Sequence, residues 1–266
     1  MTDVRSGALD PASLFRPLAP PERRRVVCSI WGEPKKGKTH FALTFPDPIY
    51  LLDLNLGAED LQPKFAGKQI VHAPLVPDDM LDPASVARAL NTFMAGWRWA
   101  LREASQRSGT VVVDTASQLW RWVQTVYLES IRQKRFRAEV AKRGGDESRV
   151  DYENIRLYQY DYALANNAMA NILNLALAAE GANVVLIHHA QEKYDASGNP
   201  TGKLHMRGYA ETPAIVGVQL QLYKTPDGQF MSRLEHFRPD GTKEGLSIPN
   251  LNYTLLSALV HNTPDT

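Results

Sequence analysis

The chain has 266 residues, 44% hydrophobic and 22% charged, which is enough length and apolar content for one large or two small domains with a buried core. Thirty lysines and arginines against 29 acids leave a net charge of +1, so no global field drives the chain onto nucleic acid or a membrane and any basic surface must be local. A single cysteine, Cys28, excludes an internal disulfide framework.

Residues 1–25 mix proline, arginine and small residues without the apolar run of a signal peptide, and are predicted to form an arm or tail ahead of the core. With one cysteine and no leader, a reducing cytoplasm is the expected compartment. Residues 26–31 form the first predicted strand, ending at Gly32. A helix start follows at 38–43, which Phe45, Pro46 and Pro48 stop before a second strand at 49–54.

Asp82 and Pro83 read as an N-cap and first helical residue, and Val86, Leu90, Phe93, Trp97 and Leu101 recur at helical spacing behind them. The β-branched run 110–113 suits a strand covered on both faces and ends in Asp114. Helical stretches are predicted at 119–143 and at 153–180, the second closed by Gly181. A short buried strand at 183–187 leads into a predicted loop, 188–207, with Ser197, Gly198, Asn199 and Pro200 at its tip. The segments 218–223 and 229–237 flank Pro226, Asp227 and Gly228, a hairpin signal. No apolar run approaches the ~18 residues of a membrane helix. Strands alternating with helices predict an α/β domain with a mostly parallel central sheet, helices on both faces and an antiparallel C-terminal hairpin.

The strongest chemical signal is Gly32-Glu33-Pro34-Lys35-Lys36-Gly37-Lys38-Thr39, a complete G-x-x-x-x-G-K-[ST] phosphate loop between a predicted strand and a predicted helix. Backbone N–H groups and a helix N-terminus there are suited to wrap a polyphosphate, with His40 just beyond. Lys38 should reach the β- and γ-phosphates of ATP and Thr39 should hold Mg²⁺. Asp114, 75 residues after Thr39 at a strand tip, fits the acid that holds Mg²⁺ in phosphate-loop enzymes; the competing reading is an N-cap of the next helix.

The order of this loop, then Leu51-Leu52-Asp53-Leu54-Asn55, then Val111-Val112-Val113-Asp114-Thr115, then Val184-Val185-Leu186-Ile187-His188-His189 resembles the RecA-like ATPases. More narrowly, Trp31-Gly32-Glu33-Pro34 into Gly37-Lys38-Thr39, with Phe45-Pro46 and Pro48 ahead of the second strand, looks like the phage-encoded RecA-like ATPases that assist single-strand annealing. The resemblance spans about residues 26–236. It implies ATP and Mg²⁺ as cofactors, single-stranded DNA as partner, a homo-oligomeric ring or filament, and the cytoplasm of a bacterial or phage-infected cell. The arm, much of 120–182 and the C-terminus fall outside it, so the chain is read as an arm at 1–25, a domain at 26–240 with a helical insertion at about 119–180, and an extension at 241–266.

Carried over to this chain, the resemblance makes His189 a polar sensor of the γ-phosphate, able to pass its state to a DNA-facing loop at 190–207. A satisfied structural histidine is the alternative, and His188 and His189, adjacent on a strand, must point to opposite sides. The resembled enzymes place a catalytic carboxylate just after the second strand, where this chain has Asn55. Asn positions a water but accepts no proton, so either Glu59 takes over or hydrolysis is slow.

Between Arg121 and Arg143 seven basic residues, Arg121, Arg132, Lys134, Arg135, Arg137, Lys142 and Arg143, face two acids, Glu129 and Glu139, an excess of +5. Trp120, Trp122, Tyr127 and Phe136 are interleaved, a mixture suited to tracking a phosphate backbone while stacking bases. A solvated helix face over core aromatics is the competing reading. Lys203 and Arg207 in the later loop form a second basic set, one of which could act in trans at a neighbour's ATP. The leading expectation is a Mg-dependent ATPase, slow or DNA-stimulated, acting on single-stranded DNA in recombination or annealing. The rivals are a nucleotide-gated binding module with little hydrolysis, marked by Asn55, and a packaging or motor ATPase with a protein partner.

Overall fold

A computed structural model describes residues 25–58 and 63–261. Strand β1 (Val27–Gly32) lies mid-sheet and leads into the short helix α1 (Lys38–Ala42). Then follow β2 (Ile49–Asp53), β3 (Ile70–Pro74), α2 (Pro83–Arg107), β4 (Thr110–Asp114), α3 (Ala116–Lys142) and α4 (Tyr162–Ala178). The chain continues through β5 (Asn183–Tyr194), β6 (Pro200–Arg207), α5 (Thr212–Val216), β7 (Val218–Lys224), β8 (Phe230–Phe237), β9 (Ser247–Pro249) and α6 (Tyr253–His261).

The strands form one nine-stranded sheet in the order β3-β2-β4-β5-β1-β7-β8-β9, with β6 paired to β5. Pairings from β3 across to β7 are parallel, whereas β5–β6, β7–β8 and β8–β9 are antiparallel. This is the expected α/β fold, a mostly parallel sheet with an antiparallel C-terminal margin.

Side chains alternate between two cores. Tyr50, Leu52, Val111, Val113, Val184 and Leu186 face α2, α3 and α4, while Cys28, Ile30, Leu51, Val112, Val185 and Ile187 face α1 and α6. Both faces are therefore covered, which is why β1, β2 and β4 read as unbroken buried runs rather than alternating ones. Helix α2 is capped as its sequence predicts, Asp82 accepting from the amides of Ala84 (2.9 Å) and Ser85 (3.0 Å), and it buries the Val86, Leu90, Phe93, Trp97, Leu101 stripe. Among the described residues no helix is long and apolar enough to cross a membrane.

Several elements depart from the sequence reading. The 188–207 segment is not a loop: β5 runs on to Tyr194 and returns as β6, the turn being closed by Asp195, whose carboxylate accepts from the amides of Ser197 (2.8 Å) and Asn199 (2.9 Å). Helix α4 begins at Tyr162 rather than near 153, because Asp146 and Asp151 bond amides two residues on and hold 146–153 in turns that compete with helix. Strand β3 and helix α5 carried no readable signal, one being a half-exposed edge strand ending in Pro74 and the other only five residues long. The segment 241–261, read as an extension, joins the sheet through β9, and α6 seats on the core with the Tyr253 ring 4.9 Å from Phe45. The expected arm lies outside the described residues except for Arg25, which donates to the last carbonyls of α4, among them Ala176 (3.1 Å).

Gly109 joins α2 to β4 where a Cβ would sit 2.5 Å from the carbonyl oxygen of Pro48. Gly109→Ala is expected to lower unfolding stability by about 1–3 kcal/mol in denaturant titration, with the far-UV spectrum unchanged.

Candidate functional site

The parallel register brings four strand tips into one row. Gly32 of β1 is opposite His189 of β5, Asp114 of β4 is opposite Ile187 of β5, and Asp53 of β2 is opposite Asp114. Gly32 has no room for a side chain, since a Cβ would stand 2.2 Å from the Leu222 carbonyl oxygen of β7. Beyond it Lys35 (φ 63°) and Gly37 (φ 81°) turn the loop left-handed so that it feeds α1.

Lys38 curls over this loop and donates to the carbonyls of Gly32 (2.9 Å) and Glu33 (2.7 Å). Burial pushes its pKa down, against the pull of Asp114 and Glu33, so an anionic phosphate is the partner its charge lacks. Thr39 donates its hydroxyl to Asp114 Oδ2 at 2.7 Å. The next helix is capped by Thr115, whose hydroxyl accepts from the Gln118 amide (3.2 Å), and not by Asp114. That leaves the Asp114 carboxylate to Thr39.

Burial drives the Asp114 pKa up, the Thr39 bond opposes the rise, nearby Asp53 adds to it and Lys38 again opposes it. A hard dication taking oxygen ligands relieves that desolvated charge, so the Thr39 hydroxyl and Asp114 carboxylate fit Mg²⁺. Among the described residues no group of three or more His, Cys, Asp or Glu could hold a metal ion.

Asp53 is fully buried and organises the segment after β2 by accepting from the amides of Asn55 (3.1 Å) and Ala58 (3.2 Å), with His72 Nε2 at 3.1 Å. Asn55 is thereby presented to β5, its Nδ2 3.2 Å from His189 Nε2. His188 and His189 do point apart. His188 is wholly buried, with Nδ1 3.2 Å from the Arg207 carbonyl and its pKa pushed down to about 4 by burial, so it is a neutral structural residue. His189 lies beside Lys38 and Arg207; burial first, then those two cations, hold its pKa below the ordinary imidazole value.

The phosphate loop opens into a cavity of about 800 Å³. Its far wall, which sequence reasoning missed, comes from Phe230 and Met231 on β8 and from Asn250, Leu251 and Asn252 after β9, facing His40 and Thr44 of the α1 region. These residues lie some two hundred positions from the loop and form no motif; only the structure shows that they meet it. Glu59 lies outside the described residues.

The basic residues of α3 are elsewhere. That helix starts at the Asp114 tip and, rising 1.5 Å per residue, carries Arg132 to Lys142 about 24–39 Å from it. Its interleaved aromatics are packing residues: Trp122 is fully buried, Trp120 lies on Tyr209, and Phe136 meets Tyr152 edge-on. Arg135 is held by Asp161 through two 2.6 Å bonds, and Arg132 lies 4.0 Å from Glu129. Arg143 pairs with Glu139 at 3.1 Å and Lys142 with the same acid at 3.7 Å, leaving Arg121, Lys134 and Arg137 as exposed cations of that helix. The second set is at the site: Arg207 pairs in register with His189, and Lys203 and His205 continue on the same face of β6.

Residues 24–211 match the family described as the AAA domain. The chain belongs to that family. It is accordingly an ATPase-type phosphate-loop domain, and β8 and the segment 250–252, which complete the cavity wall, lie beyond the matched segment. The crystal structure of the RadB recombinase is similar at 14% identity with a TM-score of 0.41, over 84% of this chain and 86% of that one. No curated protein matches the chain.

The Asp114 environment yields a signed prediction. Because its folded pKa stands above the 3.8 of the free group, ionised Asp114 opposes folding in full above the folded pKa, and the opposition fades as pH falls from that pKa towards 3.8 and is gone below it. Asp114→Asn is expected to raise the thermal midpoint at neutral pH without metal while abolishing the Mg²⁺ dependence of nucleotide binding. An unchanged or lower midpoint with Mg²⁺ dependence intact contradicts the assignment.

Proposed function

We propose that the chain binds Mg-ATP at the strand-tip row, hydrolyses it, and acts on single-stranded DNA as a RecA-like ATPase of phage-type recombination or annealing, working as a homo-oligomeric ring or filament. The observation that carries this is the shared base of the nucleotide site and the β5–β6 hairpin. The His189 amide donates to Ser117 Oγ at 2.9 Å, the Ser117 hydroxyl donates to the Arg207 carbonyl, and Ser117 stands three residues after Asp114. A change at the γ-phosphate therefore reaches the hairpin through two hydrogen bonds.

In this reading the loop amides and Lys38 hold the phosphates, and Lys38 offsets the charge that develops on them. Thr39 and Asp114 would hold Mg²⁺, which supplies further charge neutralisation when bound. Asn55 and His189 flank the position of an attacking water. The wall formed by Phe230, Met231 and Asn250–Asn252 offers an aromatic ring and side-chain amides to a nucleobase. Lys203, His205 and Arg207 give the hairpin a basic stripe suited to a phosphate backbone. Lys134, Arg137, Lys142 and Arg143 at the far end of α3 give a second contact zone for DNA or a neighbouring subunit.

Asn55 favours a second reading, a nucleotide-gated binder with little turnover, in which the same coupling serves a switch. Steady-state phosphate release with Mg-ATP separates the two. The ATPase reading expects acceleration by single-stranded DNA that fades with salt, whereas ATP binding without phosphate release supports the switch. Lys38→Ala is expected to lose nucleotide affinity by at least tenfold. Lys203→Ala with Arg207→Ala is expected to weaken single-stranded DNA binding and to reduce the slope of log K against log salt by about 1–2. An unchanged slope removes the hairpin from the interface.

A further inference from the structure

If ATP is hydrolysed here, the attacking water must give up a proton, and few groups at the site are able to take it. Asp114 is engaged by Thr39 at 2.7 Å. Asp53 is shut away from solvent, its oxygens taken by the amides of Asn55 and Ala58 and by His72. Glu33 lies on the outer side of the loop, 3.6 Å from Lys36 and more than half exposed. The Asn55 amide has no basic lone pair. Among the described residues the imidazole of His189 faces the row, half-buried and in contact with Asn55 at 3.2 Å, whereas the exposed His40 ring lies against Phe65 at 5.0 Å.

We propose that His189 is the catalytic base of this site, taking the proton of the attacking water at Nε2 while the Asn55 side chain supplies the water's second anchor. The inference rests on the hydrolytic reading above and names the residue that performs its proton transfer. The position is fixed from both sides: β5 pairs with β1 through Gly32↔His189, the His189 amide is tied to Ser117, and Asn55 is set by Asp53. A water donating one hydrogen bond to the Asn55 carbonyl oxygen and one to Nε2 replaces the direct amide–imidazole contact.

The step balances without any further reagent. As the water oxygen bonds to the γ-phosphorus, the bond from that phosphorus to the β,γ-bridging oxygen breaks and its electron pair leaves on ADP. The water proton passes to Nε2. The charged groups facing His189 are Lys38 from α1 and Arg207 from β6, with His188 beside it on the opposite face of β5. Burial and then both cations disfavour the imidazolium, so the ring sheds an acquired proton readily to phosphate or solvent.

The test is the pH dependence of kcat for phosphate release by the full chain with saturating Mg-ATP, together with ATP affinity by calorimetry. The wild type is expected to lose activity on acidification along a limb centred below the ordinary imidazole value of 6.5. His189→Gln, which keeps a polar side chain of similar reach, is expected to bind ATP within a few-fold of wild type, to turn over about 10²-fold more slowly, and to lose the acid limb. Asn55→Asp is expected to restore turnover in the His189→Gln background by putting a carboxylate beside the water. His189→Gln with near-wild-type kcat or an intact acid limb overturns the proposal, as does loss of the limb in Glu59→Gln instead. A wild type that binds ATP but releases no phosphate overturns the hydrolytic reading and this inference with it, and that result appears before any variant is made.

Discussion

The parallel register of β2, β4, β5 and β1 is the constraint on which the site depends. Pairing Gly32 with His189 and Asp53 with Asp114 sets loop, histidine and acid in one row at the carboxyl ends of the strands. In open α/β sheets ligands bind at that edge, where helix N-termini converge. The register is enforced by burial on both faces, because a one-residue slip in β4 or β5 would exchange the side chains of the two cores. Close approach adds a second lock at Gly32, where β7 leaves no space for a Cβ.

The row stores an electrostatic conflict. Asp114 is buried with its pKa raised, Lys38 is buried with its pKa lowered, and the His189 pKa is lowered by burial and then by Lys38 and Arg207. Each is disfavoured in its charged form by the fold alone, and a metal-bound polyphosphate relieves the first two together. Sites organised for binding commonly trade stability in this way. His188 is a related case: among the described residues its buried Nε2 has no hydrogen-bond partner, while Nδ1 faces the Arg207 carbonyl that also receives the Ser117 hydroxyl. The base of the hairpin is thus joined to the nucleotide row by short polar links as well as by the pairing of β5 with β1.

Much of this was legible in the sequence, and the reasons for the failures are physical. The phosphate loop, the Asp82 cap, the β-branched run before Asp114 and the divergent pair of histidines are local signals, each set by a few adjacent residues. The 188–207 hairpin was hidden because β5 changes midway from a buried parallel strand to an exposed antiparallel one, ending the apolar run at His188. The far wall of the cavity was hidden because Phe230 and Asn250–Asn252 meet the loop only through the β1–β7–β8–β9 pairings. The basic excess on α3 misled about aromatics, since the helix turns Trp122 inward and the following acidic segment supplies Asp161 to Arg135.

The central claim is that nucleotide at the phosphate loop and order in the β5–β6 hairpin are one event, linked through His189, Ser117 and Arg207. Native-state amide hydrogen exchange with and without Mg-ATP tests it most directly. The account predicts slower exchange on ATP addition both at residues 33–40 and across 189–207, with the distant helix α4 unchanged. Protection confined to 33–40, with the hairpin exchanging at its original rate, would contradict it.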